Sequence, residues 1–292
     1  MLEAEDRSTP WQRVLWLKQS QYPDNYLDET FLDNLQRNVN VRQYTYKGLV
    51  FDTMPVTQHL CSIMVFVALF THLHENTFKW KTLVAVTLLS SLAGYLYWER
   101  LTSCQQFRSN VVASTFVLTA ILLLLSPVLQ TLSKATTSDS IWPLSASLFA
   151  LNAILADYGS EAREPWQPIQ FPSSLSVNAA ISASVVLSSR LSSHLQVFAL
   201  VLFSIEWFAL FPILRKQALR SLPDRVNAVT TSMLALLALL LLAPLSPAVS
   251  ALYTITILAL QFGIPLWLLR LQSLKNELRG PWDAAVPKVA ID

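Results

Sequence analysis

Long apolar runs constrain this chain more than any other feature of its sequence. Windows of about 18 to 25 mostly apolar residues can cross a hydrocarbon core of roughly 30 Å. We identify eight of them, at residues 55–73, 81–98, 110–131, 140–157, 174–190, 195–214, 227–243 and 248–269. Only 14% of the 292 residues are charged, against roughly 25% in soluble domains. We therefore expect an all-α, polytopic membrane helix bundle with about eight transmembrane helices.

The Lys and Arg residues predict the orientation of these spans. Of the 21 Lys and Arg residues, 17 fall in the terminal segments and alternate loops, and four fall on the other side. Because loops rich in Lys and Arg stay in the cytoplasm, we expect both termini to be cytoplasmic. The chain then divides into a cytoplasmic N-terminal segment (1–54), an eight-span domain (55–269) and a cytoplasmic tail (270–292). Cys61 and Cys104 lack metal-ligand or disulfide spacing, and we expect free thiols.

Several polar side chains interrupt the apolar windows. The candidates are Asp157, Asn178, Arg190 and Glu206, and Asn152 and Gln261 add further polarity. Glu206 is the sharpest case, because an ionised side chain at the middle of a span costs at least about 2.5 kcal/mol. It must face the bundle interior, be neutral, or pair with a cation or carboxyl, and Arg190 and Asp157 are candidate partners. Hydrogen bonding between helices and a pocket for a lipid headgroup or substrate both remain open.

The polar stretch "QYPDNYLDETFLDNLQRNVNVRQY", residues 21–44, predicts a helix on the cytoplasmic surface. Asp28 is a good N-cap, and Leu27 and Leu32 have the spacing of a hydrophobic staple. Phe31, Leu35 and Val39 recur every four residues on one stripe. The polar face has few Lys or Arg residues for a helix bound to lipid, so docking against another subunit or the chain's own bundle is favoured over the headgroup boundary. We take four side chains as candidate partner-docking residues: Leu27, Phe31, Leu35 and, from the C-terminal tail, Trp282.

Motifs for nucleotide binding and hydrolysis are missing. The five glycines are scattered along the chain, so no glycine-rich phosphate loop can form, and we expect no cofactor. Neither an Asp-x-Asp pair, a His-Glu-x-x-His motif nor a Gly-x-Ser-x-Gly elbow is present. His72, His74 and Glu75 could contribute to a metal site if other ligands joined them, but a solvated loop is the favoured interpretation and we predict no metal.

The loop "LRKQALRSLPDR" carries a cluster of cations directly against the predicted sixth span. Its candidate lipid-headgroup residues are Arg215, Lys216, Arg220 and Arg225. Near a membrane surface each such cation contributes about 1 kcal/mol of attraction to anionic lipid. The alternative is that these charges only set the topology of the chain.

A series of motifs in fixed order resembles one known family. They include "PDNYLDETFLDNLQRNV", "LCSIMVFVALF", "SPVLQTLSKATTSDSI", "ADYGS", "FPILRK" and "RLQSLKNELRGPWDAA". In combination, from about Trp11 to Asp283, they resemble the C-subunit family of phosphatidylinositol N-acetylglucosaminyltransferase. One position departs from the pattern, since Ala284 stands in "GPWDAA" where the family motif has an acid, which puts any chemical role of that acid in doubt.

The resemblance implies a multi-pass subunit of an endoplasmic reticulum complex. That complex transfers N-acetylglucosamine from UDP-N-acetylglucosamine to phosphatidylinositol, the first step of glycosylphosphatidylinositol (GPI) anchor synthesis. Sugar transfer is attributed to another subunit, which agrees with the missing nucleotide motifs. We expect a noncatalytic chain that assists assembly and presents the acceptor lipid, with the catalytic subunit, the other subunits and phosphatidylinositol as partners. A lipid or small-solute transporter and an intramembrane lipid-modifying enzyme are the alternatives.

Overall fold

Helices make up almost all of the described chain. The computed structural model describes residues 22–23, 26, 35–38, 43–102, 108–131, 137–158, 174–221, 224–276 and 278–279. The α-helices are α1 (Tyr46–His74), α2 (Trp80–Thr102), α3 (Arg108–Thr131), α4 (Ser138–Leu155), α5 (Ser174–Ser188), α6 (His194–Ile205), α7 (Phe211–Ser221), α8 (Asp224–Leu242), α9 (Pro247–Leu258) and α10 (Ile264–Gln272). A π-helix at Glu206–Leu210 joins α6 to α7, and a second at Ala259–Gly263 joins α9 to α10.

Among the described residues, five helical segments are long and apolar enough to cross a membrane. They are Tyr46–His74, Ser114–Thr131, His194–Lys216, Arg225–Leu242 and Pro247–Gln272. The other three helices, α2, α4 and α5, coincide with the remaining predicted windows. The expected all-helical membrane class is therefore confirmed, while the count of eight spans stays a prediction.

Each π-helix is followed by a proline at the same distance. The first ends at Leu210, two residues before Pro212, and the second ends at Gly263, two residues before Pro265. A proline inside a helix lacks an N–H group, and its ring collides with the carbonyl four residues earlier. The wider π turn, with its i to i−5 hydrogen bonds, accommodates both effects without ending the helix.

Aromatic side chains fill the core of the helical bundle. The fully buried Phe66 ring on α1 lies 5.7 Å from the Phe149 ring centroid, 6.2 Å from Phe203 and 5.3 Å from Phe208. Trp207 stacks on Phe203 at 5.2 Å, and its indole N–H donates to the Ser62 carbonyl at 2.9 Å. The first π-helix is thereby packed against α1 through both apolar and polar contacts.

Buried amides connect α1 to α8 and to the second π-helix. Gln58 is fully buried and donates from Nε2 to the Asn227 Oδ1 at 2.6 Å and to the Thr231 Oγ1 at 2.7 Å. Gln261 accepts from the Thr57 hydroxyl at 2.7 Å and donates to the Val50 carbonyl at 2.8 Å. Hydrogen bonds of this kind between membrane helices contribute roughly 0.6–2 kcal/mol each, so they fix the register of α1 against its neighbours.

The chain divides into two compact units. One comprises residues 45–268, and the other comprises 1–44 together with 269–292. In the second unit, the two-residue strands β1 (Gln36–Arg37) and β2 (Leu278–Arg279) pair antiparallel, with Gln36 opposite Arg279. The segment that follows the "PDNY" motif therefore pairs with the segment directly before "GPWD".

This strand pair corrects the predicted surface helix. Gln36 and Arg37 are extended, and Asn38 has a φ of 57°, so a helix cannot continue through these residues to Val39. The physical reason is that β2 supplies backbone partners to β1, while Asn adopts the left-handed conformation more readily than most residues. Leu35, at the start of this extended segment, is half-buried. Leu27, Phe31 and Trp282 lie outside the described residues.

Candidate functional site

Polar side chains from α1, α4, α5 and α7 come together near the end of α4. We call this set the Arg215 cluster, and its members are His59, Asn152, Asp157, Tyr158, Ser176, Arg215 and Lys216. The end of α4 and the residues of α7 adjoin the predicted cytoplasmic boundaries of spans four and six. The predicted topology therefore puts the cluster where an apolar core gives way to headgroups.

An ion pair joins α7 to the residues after α4. The Lys216 ammonium lies 2.6 Å from the Asp157 Oδ2, and the two side chains are 20% and 42% exposed. Asp157, which the sequence indicates as a candidate partner of Glu206, thus contacts a cation of α7. Asp157 lies near the end of its helix, where the next available group is the cation on α7 rather than a carboxyl inside the sixth span.

Arg215 differs from its neighbour Lys216 in having no counter-ion among the described residues. It is half-buried, its Nε atom is buried, and within the described ranges that atom has no hydrogen-bond partner and Arg215 forms no ion pair. Its neighbour Lys216 contacts Asp157, which directly precedes Tyr158, so Arg215 and Tyr158 lie on adjoining segments of the chain. Since a guanidinium remains charged in proteins, an uncompensated one next to the membrane core attracts an anion.

A chain of hydrogen bonds orients His59. The Asn152 amide donates from Nδ2 to the carbonyl and hydroxyl oxygens of Ser176, both at 2.9 Å, so its Oδ1 is the acceptor. His59 Nε2 lies 2.8 Å from that Oδ1 and therefore donates to it. The second ring nitrogen, Nδ1, makes no hydrogen bond to the part of the chain that the structure describes. In the neutral ring this nitrogen is an acceptor for a hydroxyl group.

Tyr158 covers one side of the His59 ring. The two ring centroids are 5.7 Å apart at an interplanar angle of 87°, and the Tyr158 hydroxyl donates to the Ala153 carbonyl at 2.6 Å. Burial raises the pKa of the Tyr158 phenol above its usual value, although the positive charge of Arg215 opposes the shift. The phenol thus stays neutral and cannot serve as the missing counter-ion of Arg215.

The remaining predicted headgroup cations are not part of this cluster. Arg225 is exposed in the first turn of α8. Arg220 belongs to α7, but its side chain lies outside the described residues. Of the four predicted residues, the structure therefore brings Arg215 and Lys216 together with other polar groups.

Glu206, at the start of the first π-helix, lies near α2 instead. Its carboxyl group is close to the Ser90 and Ser91 hydroxyls, while its Oε2 is buried and has no hydrogen-bond partner among the described residues. Arg190 lies in the turn after α5, and Glu206 is 12 residues beyond the start of α6 at His194, about 18 Å along the helix axis. This separation argues against Arg190 as its partner.

Two further predicted polar sites have other surroundings. Asn178 is exposed on α5 and does not point into the bundle. Both ring nitrogens of His72 form hydrogen bonds, to the Thr77 hydroxyl at 2.8 Å and the Leu241 carbonyl at 2.9 Å, so neither is available to a metal. No cluster of three or more metal-ligating side chains occurs in the described residues.

Sequence reasoning missed the roles of His59 and Tyr158. Both carry a signal that could have identified them, because His59 interrupts an apolar window and Tyr158 belongs to the quoted motif "ADYGS". What the sequence could not provide is the contact between α1 and α4, through which His59 meets Asn152.

The fold and the cluster define an all-helical membrane protein with a basic polar site near one end of its helices. Residues 11–283 match the family described as phosphatidylinositol N-acetylglucosaminyltransferase, and the chain belongs to that family.

Named relatives cover nearly the whole chain. The phosphatidylinositol N-acetylglucosaminyltransferase GPI2 subunit of Schizosaccharomyces pombe is 37% identical over 98% of this chain and 90% of its own length. The C subunit of the same enzyme from Homo sapiens is 34% identical over 96% of this chain and 93% of its own. The Saccharomyces cerevisiae GPI2 subunit is 28% identical over 96% of this chain and 98% of its own length. No solved structure matches the chain significantly. The resemblance expected from the sequence motifs is confirmed.

Proposed function

We propose that this chain is a membrane subunit of phosphatidylinositol N-acetylglucosaminyltransferase and acts in the first step of GPI-anchor biosynthesis. The observation that carries the proposal is the family match over residues 11–283, together with relatives named as subunits of that enzyme. No finding favours the transporter or the lipid-modifying enzyme considered from the sequence.

Within the complex, the chain assists assembly and presents the acceptor lipid, and another subunit transfers the sugar. Support for this division of roles comes from the sequence, whose five scattered glycines offer no cradle for a nucleotide diphosphate. Support for acceptor presentation comes from the Arg215 cluster, where a buried guanidinium atom lies near the predicted membrane boundary without a hydrogen-bond partner in the described chain.

The proposed setting is the endoplasmic reticulum membrane, crossed eight times with both termini in the cytoplasm. The 17 to four distribution of Lys and Arg supports this orientation. Of the three helices outside the five strongest candidates, α2 with 23 residues is long enough to cross the core, whereas α4 with 18 and α5 with 15 are shorter. At 1.5 Å per residue these correspond to roughly 35, 27 and 22 Å.

Affinity purification from mild detergent tests the proposal. A tagged chain, expressed at its natural level, should bring down a glycosyltransferase with a cytoplasmic nucleotide-binding domain in constant ratio. An unrelated eight-span protein with the same tag serves as the control. A chain that purifies alone, from membranes that still contain the transferase, contradicts the proposed role.

A further inference from the structure

The Arg215 cluster contains a cation whose charge is not neutralised by any residue that the structure describes. Lys216 is neutralised by Asp157 at 2.6 Å, whereas the buried Nε of Arg215 has no hydrogen-bond partner in the described residues. With His59 and Tyr158 counted as neutral, the cluster carries a net charge of one positive unit. This charge matches a phosphodiester, which has one negative charge, better than a terminal phosphate or a diphosphate.

The position of Arg215 along its helix indicates where that anion comes from. Arg215 directly follows the apolar run Phe211–Leu214, which belongs to a candidate membrane span ending at Lys216. If this span crosses the membrane as predicted, a side chain at its end is level with the phosphates of the adjoining leaflet. A lipid phosphodiester reaches this position directly, while a soluble phosphate has to enter the headgroup layer.

Beside the cation lies a hydrogen-bond acceptor. The Asn152 amide holds the His59 ring by its Nε2, and Nδ1 makes no hydrogen bond within the described chain. A headgroup that carries hydroxyl groups can donate to this nitrogen, whereas a choline headgroup cannot and would also bring its own positive charge towards Arg215.

We propose that Arg215, with His59 and Tyr158 beside it, forms a binding site for the phosphodiester of a hydroxyl-bearing anionic phospholipid. The inference rests on the proposed function only in taking phosphatidylinositol as the lipid to be tested first. Of the four cations of the basic loop, the inference assigns headgroup binding to Arg215. Lys216 is held by Asp157 instead.

Lipid retention by the purified protein tests this site. The tagged chain, with whatever subunits accompany it, is placed in nanodiscs of phosphatidylcholine containing either phosphatidylinositol or phosphatidylserine, and bound lipid is counted by native mass spectrometry. We expect phosphatidylinositol to be retained over both other lipids. The Arg215→Gln variant should lose at least about tenfold in phosphatidylinositol affinity, as expected for loss of a charge-assisted hydrogen bond. Arg215→Lys should keep more affinity than Arg215→Gln, because it retains the charge.

The matched control is Arg100→Gln, which removes an exposed cation from the end of α2 on the same predicted side of the membrane. It should leave retention within about twofold of the wild type, since exposed charges contribute little. If Arg215→Gln does not fold, the wild type and Arg215→Lys are compared instead. Phosphatidylinositol should then raise the melting temperature of the wild type more than that of the variant.

Several results would overturn the inference. One is wild-type retention of phosphatidylinositol by a folded Arg215→Gln variant, and another is equal stabilisation of wild type and Arg215→Lys. Full displacement of the lipid by millimolar inorganic phosphate would show that the site binds free phosphate. A chain that retains the lipid but purifies without other subunits supports the site and contradicts the proposed function, so the two claims fail separately.

Discussion

The Lys216 ammonium and the Asp157 carboxylate, 2.6 Å apart, connect α7 to the residues after α4. Both side chains are partly exposed, so we expect Lys216→Ala or Asp157→Ala to lower the free energy of unfolding by only about 0.2–1 kcal/mol. The exchange of the two charges in Asp157→Lys with Lys216→Asp should recover part of that loss. Thermal unfolding in detergent measures the loss in each variant. The difference in stability between the wild type and each single variant should be smaller at high salt than at low salt, because salt screens the pair. If the exchange variant loses as much free energy of unfolding as the single variants, the ion pair contributes nothing to stability.

Glu206 should tolerate a change to Gln but not to Leu. Gln keeps a hydrogen-bonding group near the Ser90 and Ser91 hydroxyls, whereas Leu removes a contact worth roughly 0.6–2 kcal/mol in a membrane. The double variant Ser90→Ala with Ser91→Ala should therefore resemble Glu206→Leu in stability and complex recovery. Loss of transferase activity in an intact complex with Glu206→Gln would instead assign a role to the carboxylate itself.

The positions of the helices could be predicted from the sequence because their cause is local. A run such as 55–73 is apolar throughout, and α1 indeed covers it, from Tyr46 to His74. The two π-helices could not be predicted in this way, because Pro212 and Pro265 follow π turns while Pro55 and Pro127 lie inside ordinary α-helices.

Pairing between side chains could not be predicted, because it depends on which helices are neighbours. Asp157 is a candidate partner of Glu206 in the sequence, and in the structure it contacts Lys216, while Gln58 reaches Asn227, 169 residues further along the chain. The surface helix failed at Gln36 for the same reason. Its apolar spacing is local, but its strand partner, Arg279, lies near the other end of the chain.

Cys104 provides a test of the orientation of the spans. It lies outside the described residues, in the loop between the second and third predicted spans, and should react with an impermeant maleimide from the cytosolic side of sealed microsomes. Cys61 should not interfere, because it is fully buried and accepts a hydrogen bond from the Tyr253 hydroxyl at 3.1 Å. The Cys104→Ser variant measures background labelling. A signal that requires permeabilised membranes would reverse the predicted topology.

The N-terminal segment remains a prediction as a docking element. Changing Phe31 and Leu35 together to Asp should leave the protein inserted in the membrane but reduce recovery of the glycosyltransferase subunit. Burial of each side chain contributes about 1.5–3 kcal/mol, enough to affect a modest interface. Changing Asp33 and Asn34 to Ala in the same segment is the control, and it should leave recovery unchanged. Full recovery and activity in the Phe31 and Leu35 variant would exclude this segment as the docking element.

Sugar transfer in membranes with and without this chain tests the central claim most directly. Microsomes from cells depleted of the chain are incubated with UDP-N-acetylglucosamine that is radiolabelled in the sugar, and the labelled N-acetylglucosaminyl-phosphatidylinositol is separated by thin-layer chromatography. We expect depletion to abolish the labelled lipid, and the wild-type chain expressed from a plasmid to restore it. Undiminished labelling in fully depleted membranes would contradict the assignment of this chain to the transferase.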